Sequence, residues 1–309
     1  VTSLAMDHSP AELVFYALDF GNNTMGVFKD LPHLGAIVRV TETRRITRLF
    51  RWLFTELEQR RELLAAHGLT WAQARRQGID LGRPAIVLVV DNLIKWKDEA
   101  DRRDELGALI NEGARNGIHL ILAGEARSAV VFDSILGSIG PRLALGFPDR
   151  RAFREIIDSM PHDQNVLGGV PEQGVYYDVD TGPIECRVVA PVRADSPDEH
   201  EKTLRALARE MKDAAGKARL PRPFEIGELP PKLSLAELMP GDIGRAWRDW
   251  HTAPHLRAPI GLDDLALGPL SADLREDGPH FLIAGPPKGG KTVALRTWLL
   301  SLAARVPPE

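Results

Sequence analysis

Residues 279–292 read PHFLIAGPPKGGKT, and the last eight, Gly285, Pro286, Pro287, Lys288, Gly289, Gly290, Lys291 and Thr292, fit the pattern GxxxxGK[ST] of a phosphate-binding loop. The apolar run 279–284 before the loop predicts a strand, and the aliphatic stretch 292–304 after it predicts a helix. A glycine-rich turn between a strand and a helix aims backbone N–H groups and the positive end of the helix dipole at one point, where a β-phosphate sits. Lys291 then reaches the β- and γ-phosphates, and the Thr292 hydroxyl takes one position on Mg²⁺. The expected cofactors are therefore ATP and Mg²⁺, and the expected fold class is α/β, a P-loop fold with a mainly parallel central sheet. A plain glycine-rich turn is the alternative reading of the same eight residues.

Such a site also needs a carboxylate at the end of a neighbouring strand to hold Mg²⁺ through water. Residues 85–90 (AIVLVV), entered from Pro84, form a continuous aliphatic run, which predicts a parallel strand buried on both faces. Asp91 stands at its carboxyl end and is the expected metal carboxylate; a cap of the following turn is the alternative. Its neighbour is Asn92, which cannot take a proton from an attacking water as an acid can, so this half-site is equipped to position a metal and poorly equipped to hydrolyse. The order is unusual, because Lys291 follows Asp91 by 200 residues whereas one nucleotide domain normally presents its loop first.

Outward from these two anchors, Leu13 to Asp19 (LVFYALD) predicts a buried strand ended by the turn-rich Gly21, Asn22, Asn23 and Thr24. From Thr43 to His67 the residues Ile46, Leu49, Phe50, Leu53, Phe54, Leu57 and Leu64 recur at three- and four-residue intervals, a helical period that Gly68 stops. A helix over 103–115, a second buried strand over 118–123 (IHLILA) and a third apolar run at 142–147 (RLALGF) follow, then a hairpin of 175–178 and 184–189. The first domain is expected over 1–192, lacking its own P-loop. Residues 193–258 read as a charged helix (196–217) and a connector stiffened by Pro221, Pro223, Pro230, Pro231 and Pro240. Residues 259–309 read as the start of a second domain carrying the P-loop, able to dock back on 1–192 as a circular permutant.

Composition removes other classes. Of 309 residues 44% are hydrophobic and 27% charged, which is a folded chain, and a net charge of −4 excludes a uniformly basic wrapper for nucleic acid. The apolar runs are far shorter than the ~20 residues of a membrane-spanning helix. Asp7 and Glu12 near the start argue against a secretion signal. The single cysteine, Cys186, excludes an internal disulfide and a multi-cysteine zinc site and fits a reducing cytosol. His119 and His280 lie in apolar strand contexts and are expected as core histidines. No Ser/His/Asp triad or dinucleotide fingerprint is present. Arg44, Arg45, Arg48 and Arg51 make a basic stripe that fits a DNA backbone, but Glu56, Glu58 and Glu62 follow on the same helix and favour a solvated face.

The segments LVFYALDFG, LPHLGAIV, RLFRWLFTELEQRRELLA, PAIVLVVDN, GARNGIHLILAGE, SIGPRLALGF and VLGGVPEQGVYY span most of residues 12–192 and resemble the later part of an FtsK/SpoIIIE-type motor domain. PIGLDDLALGPLSADL and GPHFLIAGPPKGGKT resemble the start of another domain of that family. Tandem copies with a proline-rich connector are similar to the EccC-type ATPases of type VII secretion. The resemblance implies a RecA-like fold, ATP hydrolysis in a ring, expected as a hexamer of identical subunits, and a transported polymer that is either a secreted protein or double-stranded DNA. It implies a cytoplasmic face, with membrane contact only through segments outside this stretch, so that the stretch spans the end of one motor domain and the start of the next. Arg142 then becomes a candidate trans-acting arginine on a neighbour's phosphate, with a core-edge arginine as the equal alternative. Glu125 becomes a candidate γ-phosphate sensor or water-orienting acid, with a strand-end cap as the alternative. Asn92 stands where an acid is common in the family, and Gly124 and Glu125 where a Thr-Gln pair is common. A non-hydrolysing, nucleotide-gated module that binds a substrate's signal peptide, and a small-molecule kinase, are the competing functional classes.

Overall fold

Seven consecutive buried residues, Leu13–Asp19, form β1, and a sheet grows on both sides of it. The computed structural model describes residues 1–21, 23–93, 100–125, 137–146, 156–157, 173–239, 241, 256–264, 267–278 and 280–305. They divide into two compact units, Val1–Ile226 and Gly227–Glu309. In the first unit β1 pairs in parallel with β2 (Leu34–Arg39) and β3 (Ala85–Asp91), and β3 pairs in parallel with β4 (Ile118–Leu122), giving the order β2-β1-β3-β4. The sheet is parallel because its central strands are aliphatic on both faces: one face buries Val14, Tyr16, Leu18, Ile86, Leu88 and Val90, the other Phe15, Ala17, Val87 and Val89. This is the α/β fold with a parallel central sheet that the sequence predicts.

The first face is covered by α2 (Thr43–His67), through Ile46, Leu49, Phe50, Leu53 and Leu57, and by Leu106 and Leu109 of α4 (Ala100–Glu112). Gly68 ends α2 as expected, its amide donating to the carbonyls of Leu64 and Ala65. Of the basic stripe on this helix, Arg45 bonds Glu42 and the carbonyls of Ile37 and Ile226, and Arg48 is buried, so half the stripe is spent inside the fold. Further along, the Arg60 guanidinium donates to Glu56, to Pro84 O at the start of β3, and to Asn116 O and Gly117 O just before β4. Its other side lies 4.8 Å from the ring centre of Trp71, the first residue of α3 (Trp71–Arg76). One arginine therefore ties the amino ends of two strands to two helices.

The second face is covered by α1 (Thr2–Asp7), by a 3₁₀ turn at Thr24–Phe28 and by α5 (Pro197–Lys217). Ser196 caps α5 by accepting from the Glu199 amide, Pro197 opens it, and Arg209 and Lys212 pair with Asp30. The chain beyond α5 stays attached: Phe224 stacks on Trp52 at 5.4 Å, the Tyr16 hydroxyl donates to Phe224 O, and Ile226 is buried. The compact unit thus ends at Ile226 rather than near 192, because one face of α5 and the strap 220–226 bury apolar side chains that a free connector would leave in water.

β4 ends the sheet among the described residues, and its outward side chains lack the cover the centre has: Ile121 is 41% exposed and His119 is exposed. His280 is exposed too, so neither histidine occupies the core position expected of it. The run at 142–147 forms β5 (Arg142–Leu145), which joins β6 (Gln173–Asp178) and β7 (Gly182–Arg187) in a separate antiparallel sheet. Leu143 and Leu145 face solvent and only Ala144 is buried, so the run behaves as a half-exposed strand despite its continuous apolar reading. In the second unit β8 (Arg257–Leu262) and β9 (Pro269–Asp273) form an antiparallel pair, preceded by the short α6 (Leu235–Leu238) and followed by α7 (Lys291–Ala303). The strand expected at 279–284 is not formed over His280–Ala284, which has no ladder partner among the described residues.

Candidate nucleotide and metal site

The phosphate-loop residues come together in the second unit. α7 begins at Lys291 with Gly290 as its N-cap at φ +86°, a left-handed position at which a side chain would be strained. A side chain at Gly289 would stand 2.9 Å from Pro286 O, which the Gly289 amide already meets at 3.0 Å. The loop therefore closes on itself through backbone that two glycines permit. The Lys291 ammonium curls over it, donating to Gly285 O and Pro286 O at 2.8 Å each. Thr292 lies exposed in the first turn, beside the free N–H groups of the helix. α7 is held by Trp298, edge-on to Phe281 at 4.6 Å, and by the Ser301 hydroxyl, which donates to Pro259 O. These contacts fix the helix axis, and with it the direction in which the loop amides point.

Asp91, Glu125 and Arg142 belong to the first unit. Asp91 ends β3 at the carboxyl edge of the sheet, half-buried, and its Oδ2 accepts from Thr24 Oγ1 at 2.8 Å. Asn92 follows in the left-handed region at φ +61°, and its Oδ1 is buried with no hydrogen bond among the described residues. No acid stands next to Asp91 on β3. Glu125 lies three residues beyond β4 and is exposed. The Arg142 side chain donates to the carbonyls of Ile139 and Ile156, which ties β5 to its own surroundings. Gly146 is the last described residue of that run; Phe147 lies outside the described residues.

The edge of the sheet holds a carboxylate that the sequence reading passed over. Asp19 ends β1 as Asp91 ends β3, and the two are direct partners in the parallel register. Asp19 is 2% exposed; its Oδ2 accepts from the Met25 amide at 2.9 Å, while Oδ1 has no hydrogen-bond partner among the described residues. The signal was an acid closing an otherwise apolar strand, but only the strand pairing sets it beside Asp91. Thr24 also lines an open cleft of about 510 Å³ between the 3₁₀ turn and the start of α5, with Phe28, Ser196, His200 and Leu204 among its other walls.

The chain matches the model of the FtsK/SpoIIIE family over residues 1–160 and 245–309. It is 27% identical over 323 residues to the ESX secretion system protein EccC of Thermomonospora curvata, covering 100% of this chain and 22% of that protein. Among solved structures it is similar to EssC (ATPases 2 and 3) of Geobacillus thermodenitrificans, at TM-score 0.80 and 22% identity over 98% of this chain and 56% of that one. It is also similar to T. curvata EccC (ATPases 2 and 3) in complex with a signal sequence peptide, at TM-score 0.66 and 25% identity over 100% of this chain and 53% of that one. The chain spans about a fifth of the length of the curated relatives it matches.

Proposed function

Because the chain belongs to the FtsK/SpoIIIE family, we propose that it is a nucleotide-binding portion of an oligomeric motor ATPase that drives protein export, of the EccC type found in type VII secretion. Residues 285–292 hold the phosphates of ATP, with Lys291 leaving the two loop carbonyls for the β- and γ-phosphates and Thr292 meeting Mg²⁺. The observation that carries this reading is the loop itself: a closed glycine turn, a lysine folded over it, and a helix amino end behind it. Asp91, at the carboxyl edge of a parallel sheet, is the metal carboxylate of the first unit, where bound Mg²⁺ would neutralise phosphate charge.

The names of the relatives support protein over DNA as the transported polymer. The burial of Arg48 and the engagement of Arg45 also leave little of a basic track on α2. The ring, the signal-bearing substrate and the cytoplasmic face belong to the same proposal; no helix among the described residues is long and apolar enough to cross a membrane. A second reading, a nucleotide-gated module that binds without turnover, is favoured by one observation, the amide Asn92 beside Asp91 where an acid would orient water.

The test is equilibrium binding of a fluorescent ATP analogue with Mg²⁺, followed by phosphate release. Lys291→Ala removes charge-assisted hydrogen bonds of about 1.5–3 kcal/mol, so affinity falls by roughly 10- to 150-fold. Equal affinity in the variant would remove the loop from the function. Binding without phosphate release, in the assembled protein, would establish the gate over the motor.

A further inference from the structure

We propose that Asp19 is the second carboxylate of a divalent-cation site shared with Asp91, an inference that rests on reading Asp91 as the metal carboxylate. Both side chains leave the ends of neighbouring parallel strands in direct register, β1 and β3, on the face covered by the 3₁₀ turn. On each carboxylate the turn satisfies one oxygen: Met25 N–H donates to Asp19 Oδ2 and Thr24 Oγ1 donates to Asp91 Oδ2. Asp19 Oδ1 has no donor among the described residues although the residue is only 2% exposed.

A buried carboxylate oxygen without a donor, beside a second carboxylate, is a costly arrangement unless a positive charge meets it. The bare α-carbon of Gly21 borders both carboxylates: a Cβ there would lie 2.8 Å from Asp91 Oδ2, crowding it, and 3.8 Å from Asp19 Oδ1. Hard oxygen donors suit Mg²⁺, Mn²⁺ or Ca²⁺, and Mg²⁺ is commonly held by one or two carboxylates while it keeps several waters. Asp19 thus supplies a charge beside Asp91 that Asn92 lacks. Asp19 would hold the cation together with Asp91, supplying a second negative charge at the same edge.

The experiment is Mn²⁺ binding to the full 309-residue chain without nucleotide, read from the electron-spin-resonance signal of the free aquo ion, with Mg²⁺ as competitor. Asp19→Asn keeps an oxygen for the Met25 amide and removes the charge. It is expected to weaken Mn²⁺ by about tenfold or more and to abolish the rise in Tm that Mn²⁺ gives the wild type. Gly21→Ala presses a methyl against Asp91 Oδ2 beside Asp19 Oδ1 with both carboxylates retained and is expected to weaken Mn²⁺ as well, which covers the case of Asp19→Asn failing to fold. If Asp91→Asn loses Mn²⁺ while Asp19→Asn and Gly21→Ala bind like wild type, Asp91 stands and the role of Asp19 is overturned. If Asp91→Asn also binds like wild type, or if the wild type binds no Mn²⁺ at millimolar concentration, the cation is not held at this edge and the reading of Asp91 falls with it. ATP-analogue binding with Lys291→Ala tests the phosphate loop on a separate readout.

Discussion

Replacing Arg60 tests whether one buried guanidinium holds the amino edge of the sheet. Its side chain is 1% exposed, and it donates to Glu56 at 3.0 Å, Pro84 O at 2.7 Å, Gly117 O at 3.3 Å and Asn116 O at 3.4 Å. In Arg60→Leu the Glu56 carboxylate keeps Arg83, which meets both its oxygens at 2.7 and 2.8 Å, so no carboxylate is orphaned. Gly117 O keeps the Ile86 amide at 2.8 Å, while Pro84 O and Asn116 O lose their donor, each costing about 1–3 kcal/mol when buried, and the cation over Trp71 is lost. The apolar leucine offsets part of this, so the expected loss is about 2–5 kcal/mol, carried by the two carbonyls and not by an orphaned charge. Arg60→Lys keeps the charge but not the fork, and is expected to lose about 1.5–3 kcal/mol. Urea unfolding followed by tryptophan emission measures both, with the slope against urea unchanged. The order wild type, lysine, leucine is required. A leucine variant within about 1 kcal/mol of wild type would mean that desolvating the guanidinium cancels its bonds, and the clamp would be refuted.

Two further outcomes are open to measurement. Burial holds the His33 imidazole below its ordinary pKa, with Nε2–H donating to His8 O, so the folded state favours the neutral ring. Its contribution to stability is complete above about pH 6.5 and is lost as the pH falls below that value, and His33→Gln should flatten the fall in ΔG between neutral and mildly acid pH. Phe224→Ala removes the stack on Trp52 and should cost about 1 kcal/mol, red-shift the Trp52 emission and speed tryptic cleavage after Arg219; unchanged cleavage would show that the strap is held elsewhere.

The elements legible in the sequence were those whose signal is local. The period of α2 and its stop at Gly68, the aliphatic runs of β1 and β3, and the glycine loop before α7 each depend on neighbours within a few residues. What escaped depends on partners far along the chain. Asp19 looks like an acid closing a strand until the parallel register sets it beside Asp91, 72 residues later. Residues 220–226 read as a linker from their prolines, yet a proline-stiffened chain is well suited to lie in a groove, and Phe224 and Ile226 were the apolar residues that marked it. The run 142–147 is apolar enough for a buried strand, and its antiparallel partners at 173–178 decide otherwise. An extended run such as 280–284 becomes a strand only when a neighbour supplies its ladder.

The uncovered rim of the first unit has a colloidal consequence. β4 offers Ile118 to Leu122 as a strand with one hydrogen-bonding edge unmatched among the described residues, and in the second unit Leu282 is 86% exposed while Val293, Leu299 and Leu300 also face water. A net charge of −4 on 309 residues gives little mutual repulsion to oppose contact between such surfaces. Purified chain should therefore show light scattering that grows steeply with concentration, and Ile121→Lys on the rim should lower it without touching residues 285–292, Asp19 or Asp91.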